Sequence, residues 1–136
     1  MMVGAGSLAP HLIRAHSAVR PIREVRIWSR DMNNAESLAA HLKVPDVKLS
    51  PVESLQGSAG WADIISCATL SEAPLIKGEW LSAGVHLDLV GAFRADMRET
   101  DDAALARARI HVDTMAGALS EAGDILLAIE ADAISE

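Results

Sequence analysis

The stretch Met1-Met-Val-Gly4-Ala-Gly6-Ser-Leu-Ala9 decides the fold, because an apolar run passes directly into a glycine turn. It matches the pattern G-x-G-x-x-A, which joins a strand to a helix in sheets that bind dinucleotides. Gly4 permits the tight turn, Gly6 lets a pyrophosphate approach the backbone, and Ala9 lets the helix pack closely on the sheet. The pattern predicts cofactor contacts from Gly4, Ala5, Gly6, Ser7 and Leu8. The abrupt start suggests a strand whose beginning is cut off, and we expect the chain to be a fragment.

Short apolar runs alternate with helical patterns along the remaining chain. The predicted strands are Met1–Val3, Glu24–Trp28, Val44–Leu49, Asp63–Ala68, Val85–Val90 and Ile110–Asp113. The predicted helices are Leu8–His16, Ala35–Leu42, Pro51–Leu55, Asp102–Ala108, Met115–Ala122 and Asp124–Ala131. Strands separated by helices imply right-handed βαβ units. We therefore predict an α/β fold over residues 1–136: a doubly wound, mainly parallel, six-stranded Rossmann sheet in the order 3-2-1-4-5-6, with helices on both faces.

Composition narrows the function classes. The chain has 136 residues, 50% hydrophobic and 23% charged, which is the ordinary mix of a globular domain. A net charge of −7 disfavours nucleic acid and anionic membranes as partners. No apolar stretch reaches the roughly 18 residues of a membrane span. The single cysteine, Cys67, excludes an internal disulfide, is predicted to be buried, and fits a reducing cytoplasm.

Ser29-Arg30-Asp31 follows the second predicted strand, where dinucleotide sheets bind the adenosine ribose. An arginine beside a hydroxyl suits a 2′-phosphate, because guanidinium binds phosphate bidentately. Asp31 has two open interpretations, as the N-cap of the next helix or as an acceptor for the ribose hydroxyl. We favour NADP(H) as the cofactor, with NAD(H) as the alternative.

Two further segments follow predicted strands at the edge where parallel sheets bind ligands. Thr69 and Leu70 come after the fourth strand, and Thr69 is interpreted as a cofactor contact. Gly91 and Ala92 come after the fifth, where small residues leave room for a nicotinamide ring; a tight turn is the alternative. Glu99 either caps the following helix or orients a residue of another domain, and we favour a structural role. The five histidines show no metal-binding spacing, so no metal is expected.

A series of short motifs spans the chain in a fixed order. They are Gly4-Ala-Gly6, Val25-Arg-Ile-Trp-Ser-Arg30, Ala62-Asp-Ile-Ile65, Thr69 with Pro74-Leu-Ile-Lys-Gly-Glu-Trp80, Val90-Gly-Ala92 with Met97-Arg-Glu99 and Asp101, and Val112-Asp113 with Glu121-Ala-Gly-Asp124. Together they resemble the ornithine cyclodeaminase/mu-crystallin family. The resemblance implies an NAD(P)-binding domain from a longer, homodimeric enzyme of amino or imino acids. It also implies that the lysine and arginines that hold the substrate lie in a separate domain absent from this chain.

The residue at position 93 distinguishes two branches of the family that the chain resembles. In the ornithine cyclodeaminases an aspartate occupies this position and assists deamination and cyclisation. A phenyl ring can neither transfer a proton nor hold an amine. The motif is more similar to the branch that reduces cyclic imine 2-carboxylates, such as Δ1-pyrroline-2-carboxylate and Δ1-piperideine-2-carboxylate. An ornithine cyclodeaminase and a mu-crystallin-like protein that binds NADPH and a small ligand are the alternatives.

Overall fold

A computed structural model describes residues 1–135, in which five parallel strands form one sheet. The strands are β1 (Met2–Val3), β2 (Glu24–Trp28), β3 (Lys48–Pro51), β4 (Ile64–Cys67) and β5 (His86–Leu89). The helices are α1 (Ala9–Val19), α2 (Met32–His41), α3 (Leu55–Ala59), α4 (Asp102–Arg107), α5 (Met115–Ala118) and α6 (Gly123–Glu130), and Gly78–Trp80 forms a 3-10 turn. Glu136, the last residue of the predicted domain, lies outside the described residues.

The strand order is β3-β2-β1-β4-β5. From β1 the chain adds β2 and β3 on one side of the sheet, and then crosses over to add β4 and β5 on the other side. This confirms the predicted α/β class and the order of the first five strands. β1 lies at the centre, where Val3 aligns with Trp28 on one side and with Cys67 on the other. In parallel sheets ligands bind outside the carboxyl ends of the strands at such a crossover.

Both faces of the sheet are covered. Met2 packs with Ile13 and Ile27 in one apolar cluster, whereas Val3 packs with Ile65 in the other. Successive side chains of a strand point to opposite faces, so the two residues of β1 contribute to both clusters. Cys67 is fully buried in the second cluster, as the sequence predicted. No described helix is both long enough and apolar enough to cross a bilayer.

The predicted sixth strand is wrong. Ile110–Asp113 forms no strand among the described residues, and all four of its residues are exposed. The alternation of apolar and polar residues suggested a half-buried strand, but Ile110 and Val112 remain 37% and 38% exposed. A strand requires both a hydrogen-bonded neighbour and a buried face, and this segment has neither within residues 1–135.

The third strand and third helix both lie further along the chain than predicted. Pro51 ends β3, aligned with Ile27, instead of opening a helix. Proline is tolerated there because β3 is an edge strand and needs fewer backbone donors. The helix begins after Ser54, whose hydroxyl accepts a hydrogen bond of 3.1 Å from the Gly57 amide. An N-cap of this kind satisfies one free amide of the first turn.

Candidate functional site

Gly4 forms the sharp turn between β1 and α1. Its φ is +100°, a conformation that side chains rarely adopt, and its amide donates to the Trp28 carbonyl oxygen at 2.8 Å. A Cβ on Gly4 would lie 2.6 Å from the Ala68 carbonyl oxygen and 3.2 Å from Thr69 Cγ2. The turn after β1 therefore contacts the segment after β4, and both the conformation and the space require glycine.

The first turn of α1 is open. Leu8 occupies the N-cap without a side-chain hydrogen bond, and Pro10 stands within the first turn. Among the described hydrogen bonds, none has the amide of Gly6, Ser7 or Leu8 as its donor. A Cβ built on Gly6 would meet nothing within 4 Å. Free amides, the positive end of a helix dipole and open space together fit a phosphate group.

Ser29, Arg30 and Asp31 follow β2 at the same edge. Asp31 Oδ1 accepts hydrogen bonds of 3.0 Å from the backbone and side-chain amides of Asn33, so Asp31 is the N-cap of α2. This confirms the interpretation of Asp31 as the N-cap of α2. Arg30 is exposed and forms no ion pair with any residue that the structure describes, which leaves its guanidinium available.

The segments after β4 and β5 are joined by Glu99, a residue whose position the sequence did not reveal. Its Oε1 accepts hydrogen bonds from the Thr69 amide at 2.6 Å and the Thr69 hydroxyl at 2.8 Å. Its Oε2 accepts one from the Gly91 amide at 2.7 Å. The cap of α4 is instead Asp101, whose Oδ1 accepts from Ala104 at 3.0 Å. The structural role favoured for Glu99 is confirmed, but its partners are the two loops, not the helix.

Gly91 is required by this arrangement. A Cβ there would lie 2.2 Å from the Thr69 carbonyl oxygen and 2.4 Å from Glu99 Oε1. The tight packing that the sequence left open as an alternative is therefore present. Ala92 is buried, whereas Leu70 is 78% exposed and Phe93 is 56% exposed. The edge of the sheet thus combines a rigid polar link with two exposed apolar side chains.

A second buried carboxylate holds Glu99 in place. Asp124 Oδ1 accepts from the Glu99 and Thr100 amides at 3.0 and 2.9 Å. Burial raises the pKa of both carboxyl groups, although the hydrogen bonds that each accepts oppose the shift. Asp124 Oδ2 is buried without a partner among the described residues. The motif Glu121-Ala-Gly-Asp124 was noted in the sequence, but nothing local in it indicates this contact.

The other polar cluster and the cavity lie away from the carboxyl ends of the strands. His16 Nε2 lies 3.1 Å from Asp88 Oδ2, which also accepts from the Ser66 hydroxyl at 2.8 Å. No group of three or more metal-ligating side chains forms within residues 1–135. A cavity bounded by Met2, Ile13 and Trp61 lies at the amino ends of the strands, whereas the glycine turn lies at their carboxyl ends. The turn after β1 and the segments after β2, β4 and β5 are therefore the site.

A parallel sheet with a glycine turn after its central strand defines a Rossmann-type domain. Residues 1–136 match the model of the ornithine cyclodeaminase/mu-crystallin family, and the chain belongs to that family. The resemblance drawn from the motifs is thereby confirmed.

The chain is similar to several curated relatives. It is 43% identical to the Delta(1)-pyrroline-2-carboxylate reductase of Paracoccus denitrificans over 136 residues, which cover 99% of this chain and 43% of the relative. It is 36% identical to the ketimine reductase mu-crystallin of Rattus norvegicus over 126 residues, 93% of this chain and 39% of the relative. The chain thus spans about two-fifths of the length of these relatives.

A solved structure shares the fold closely. Thermococcus litoralis Delta(1)-pyrroline-2-carboxylate reductase, in complex with NADH and L-proline, superposes with a TM-score of 0.93 at 29% identity. The match covers 98% of this chain and 42% of that chain.

Proposed function

We propose that the protein is an NAD(P)H-dependent reductase that converts a cyclic imine bearing a 2-carboxylate into the cyclic amino acid. Δ1-Pyrroline-2-carboxylate and Δ1-piperideine-2-carboxylate are the substrates that we expect. The observation that carries the proposal is the open start of α1, where free amides and the empty space beside Gly6 fit a dinucleotide pyrophosphate. The names of the relatives, reductases of Δ1-pyrroline-2-carboxylate and of ketimines, support the substrate class.

The proposed cofactor site divides into three parts. The pyrophosphate lies over the turn, the adenosine ribose lies at the end of β2, and the nicotinamide lies beyond β4 and β5. The contacting residues in that order are Gly4, Ala5, Gly6, Ser7 and Leu8; Ser29, Arg30 and Asp31; and Thr69, Leu70, Gly91 and Ala92. The bound nicotinamide supplies a hydride. The chain's own residues bind and orient the cofactor.

We favour NADP(H) over NAD(H). The guanidinium of Arg30 is exposed and available, and a 2′-phosphate is an anion that it can bind bidentately. Asp31 is already engaged as the cap of α2, which leaves only part of its accepting capacity for a ribose hydroxyl. The NADH bound in the T. litoralis reductase keeps NAD(H) as the alternative.

Phe93 disfavours ornithine cyclodeamination. Its ring is exposed at the edge where the proposed nicotinamide lies, and it has no group that accepts or donates a proton. An apolar ring there packs against the cofactor or the methylene groups of a cyclic substrate. The groups that hold the substrate carboxylate and protonate the imine are expected outside this chain. We further propose a cytoplasmic homodimer, with the cytoplasm supported by the single, buried, free thiol of Cys67.

Two assays of the full-length protein test the proposal. Δ1-Piperideine-2-carboxylate or Δ1-pyrroline-2-carboxylate with NADPH should give oxidation of the cofactor, whereas ornithine with NAD should release no ammonia. Ammonia release from ornithine at an ordinary enzymatic rate would refute the argument from Phe93. Tight NADPH binding without turnover in either assay would favour a ligand-binding protein similar to mu-crystallin.

A further inference from the structure

Glu99 is buried at the point where the hydrogen-bond ladder between β4 and β5 ends. The last hydrogen bond of their ladder joins the Val90 amide to the Cys67 carbonyl oxygen at 3.0 Å. Beyond it Gly91 still packs against the Thr69 backbone, but the two segments no longer pair, and the amides of Thr69 and Gly91 have no ladder partner. The Glu99 carboxylate accepts both amides and the Thr69 hydroxyl. One side chain thus links two loops that no longer pair with each other.

Glu99 is itself held from two directions. Its amide donates to Asp124 Oδ1 at 3.0 Å, and its carbonyl oxygen accepts from the Leu75 and Ile76 amides at 2.9 and 3.0 Å. The side chain is completely buried. Because the backbone on both sides is fixed and the packing is tight, the carboxylate has no alternative position. It therefore acts as a rigid spacer, not as an adaptable surface contact.

We propose that Glu99 is a positioning residue for the nicotinamide ring: it sets the spacing of the Thr69 and Gly91 loops without touching the cofactor. The inference rests on the proposed function, because the ring is placed beyond β4 and β5 there. The adenosine and the phosphates lie on the turn after β1 and on the end of β2, which Glu99 does not contact. Loss of Glu99 therefore affects the nicotinamide half of the cofactor and spares the other half.

Glu99→Gln is the informative substitution. It preserves the shape but replaces one acceptor oxygen with an NH2 group, which then opposes the amide of Gly91 or Thr69, donor against donor. Asp88→Asn is the matched control. It makes the same chemical change in a carboxylate that links Ser66 and His16 and contacts neither loop.

Binding should be measured on the full-length protein with two ligands: the reduced dinucleotide, and ADP-ribose or its 2′-phosphate, which lacks the nicotinamide ring. We expect Glu99→Gln to weaken dinucleotide binding about tenfold, the equivalent of one charge-assisted hydrogen bond. Affinity for the ring-free ligand should stay within about twofold, well under one hydrogen bond in free energy. The fluorescence of the bound reduced nicotinamide should shift towards that of the free cofactor. Asp88→Asn should leave all three readouts unchanged.

Equal losses for both ligands, or no loss for either, would overturn the positioning role. Failure of the wild-type protein to bind either dinucleotide would refute the proposed function itself, so the two failures are distinguishable. If Glu99→Gln does not fold, Glu99→Asp keeps the charge but shortens the side chain by one methylene, so that the carboxylate no longer reaches both the Thr69 and the Gly91 amides. It should weaken dinucleotide binding about threefold, half the free energy of the larger effect, and spare the ring-free ligand. An unchanged dinucleotide affinity in that variant would likewise overturn the proposal.

Discussion

The amide of Gly91 donates a 2.7 Å hydrogen bond to Glu99 Oε2, and the contact leaves no room for a side chain at position 91. We expect Gly91→Ala to lower the free energy of unfolding by about 1–3 kcal/mol, the usual cost of overpacking a tight core. The reason is that the added methyl would lie 2.2 Å from the Thr69 carbonyl oxygen. Urea denaturation measures the change as a shift in midpoint at constant slope.

Gly6→Ala is the control for that experiment, because its methyl would enter open space. Its free energy of unfolding should stay within about 0.5 kcal/mol of the wild-type value. Equal stability of Gly91→Ala and the wild type would show that the loops can move apart and that Glu99 does not fix them.

The same Gly6→Ala substitution should weaken cofactor binding. The methyl would occupy the space that the pyrophosphate needs in order to reach the amides at the start of α1. Loss of one charge-assisted contact predicts about a tenfold increase in the dissociation constant. Titration followed by nicotinamide fluorescence measures it. Gly57→Ala, in the exposed part of α3, is the matched control and should bind as the wild type does.

Asp124 gives the fold a specific pH dependence. Burial raises the pKa of its carboxyl above the ordinary value of 3.8, so the folded state binds a proton more readily than the unfolded state does. The contribution of Asp124 to stability is therefore largest below that value and declines as the pH rises through the folded-state pKa. Asp124→Asn keeps an acceptor oxygen for the Glu99 and Thr100 amides but cannot ionise.

Relative to the wild type, Asp124→Asn should therefore become more stable as the pH rises from the ordinary value of 3.8 through the folded-state pKa, and the difference should then level off. Denaturation of both proteins at a series of pH values gives the difference directly. A difference that is constant, or that moves in the opposite direction, would contradict the assigned shift.

The sequence specified the centre of the sheet more reliably than its edges. β2 occupies the predicted residues Glu24–Trp28, because its strict alternation places Val25 and Ile27 together in one buried cluster. The order of the first five strands follows from the handedness of βαβ units. At the edges, a pattern of four residues cannot reveal whether a neighbour exists. Ile110–Asp113 was therefore predicted as a strand, and the edge strand β3 was placed too early.

The site divides in the same way. The role of Gly4 can be read locally, since its conformation is set by the turn in which it lies. The role of Glu99 cannot, because its carboxylate joins Thr69, 30 residues earlier, to Gly91, eight residues earlier. Such a contact arises only when the sheet brings two strand ends together. Gly91 was interpreted as room for a ring, and the structure adds that a buried carboxylate occupies the space beside it.

Arg30 supplies the test of cofactor selection. It follows β2 by two residues, is exposed and has no ion-pair partner among the described residues. A guanidinium bound to a 2′-phosphate contributes about 1.5–3 kcal/mol, which is a change of roughly 10- to 150-fold in affinity. Arg30→Ala should therefore weaken NADPH binding by this factor and leave NADH binding nearly unchanged.

The matched control is Arg23→Ala, which removes an exposed positive charge of the same kind. Arg23 comes immediately before β2, at the amino end of the strand, whereas Arg30 follows its carboxyl end. That side chain lies about 20 Å away along the strand, beyond the screening length of physiological salt. We expect Arg23→Ala to retain the wild-type ratio of NADPH to NADH affinity, so a change confined to Arg30→Ala reports a local contact and not the overall charge. An unchanged ratio of NADPH to NADH affinity in Arg30→Ala would show that Arg30 does not bind a 2′-phosphate. That result would favour NAD(H) as the cofactor, with Asp31 accepting a hydrogen bond from the ribose hydroxyl as well as capping α2.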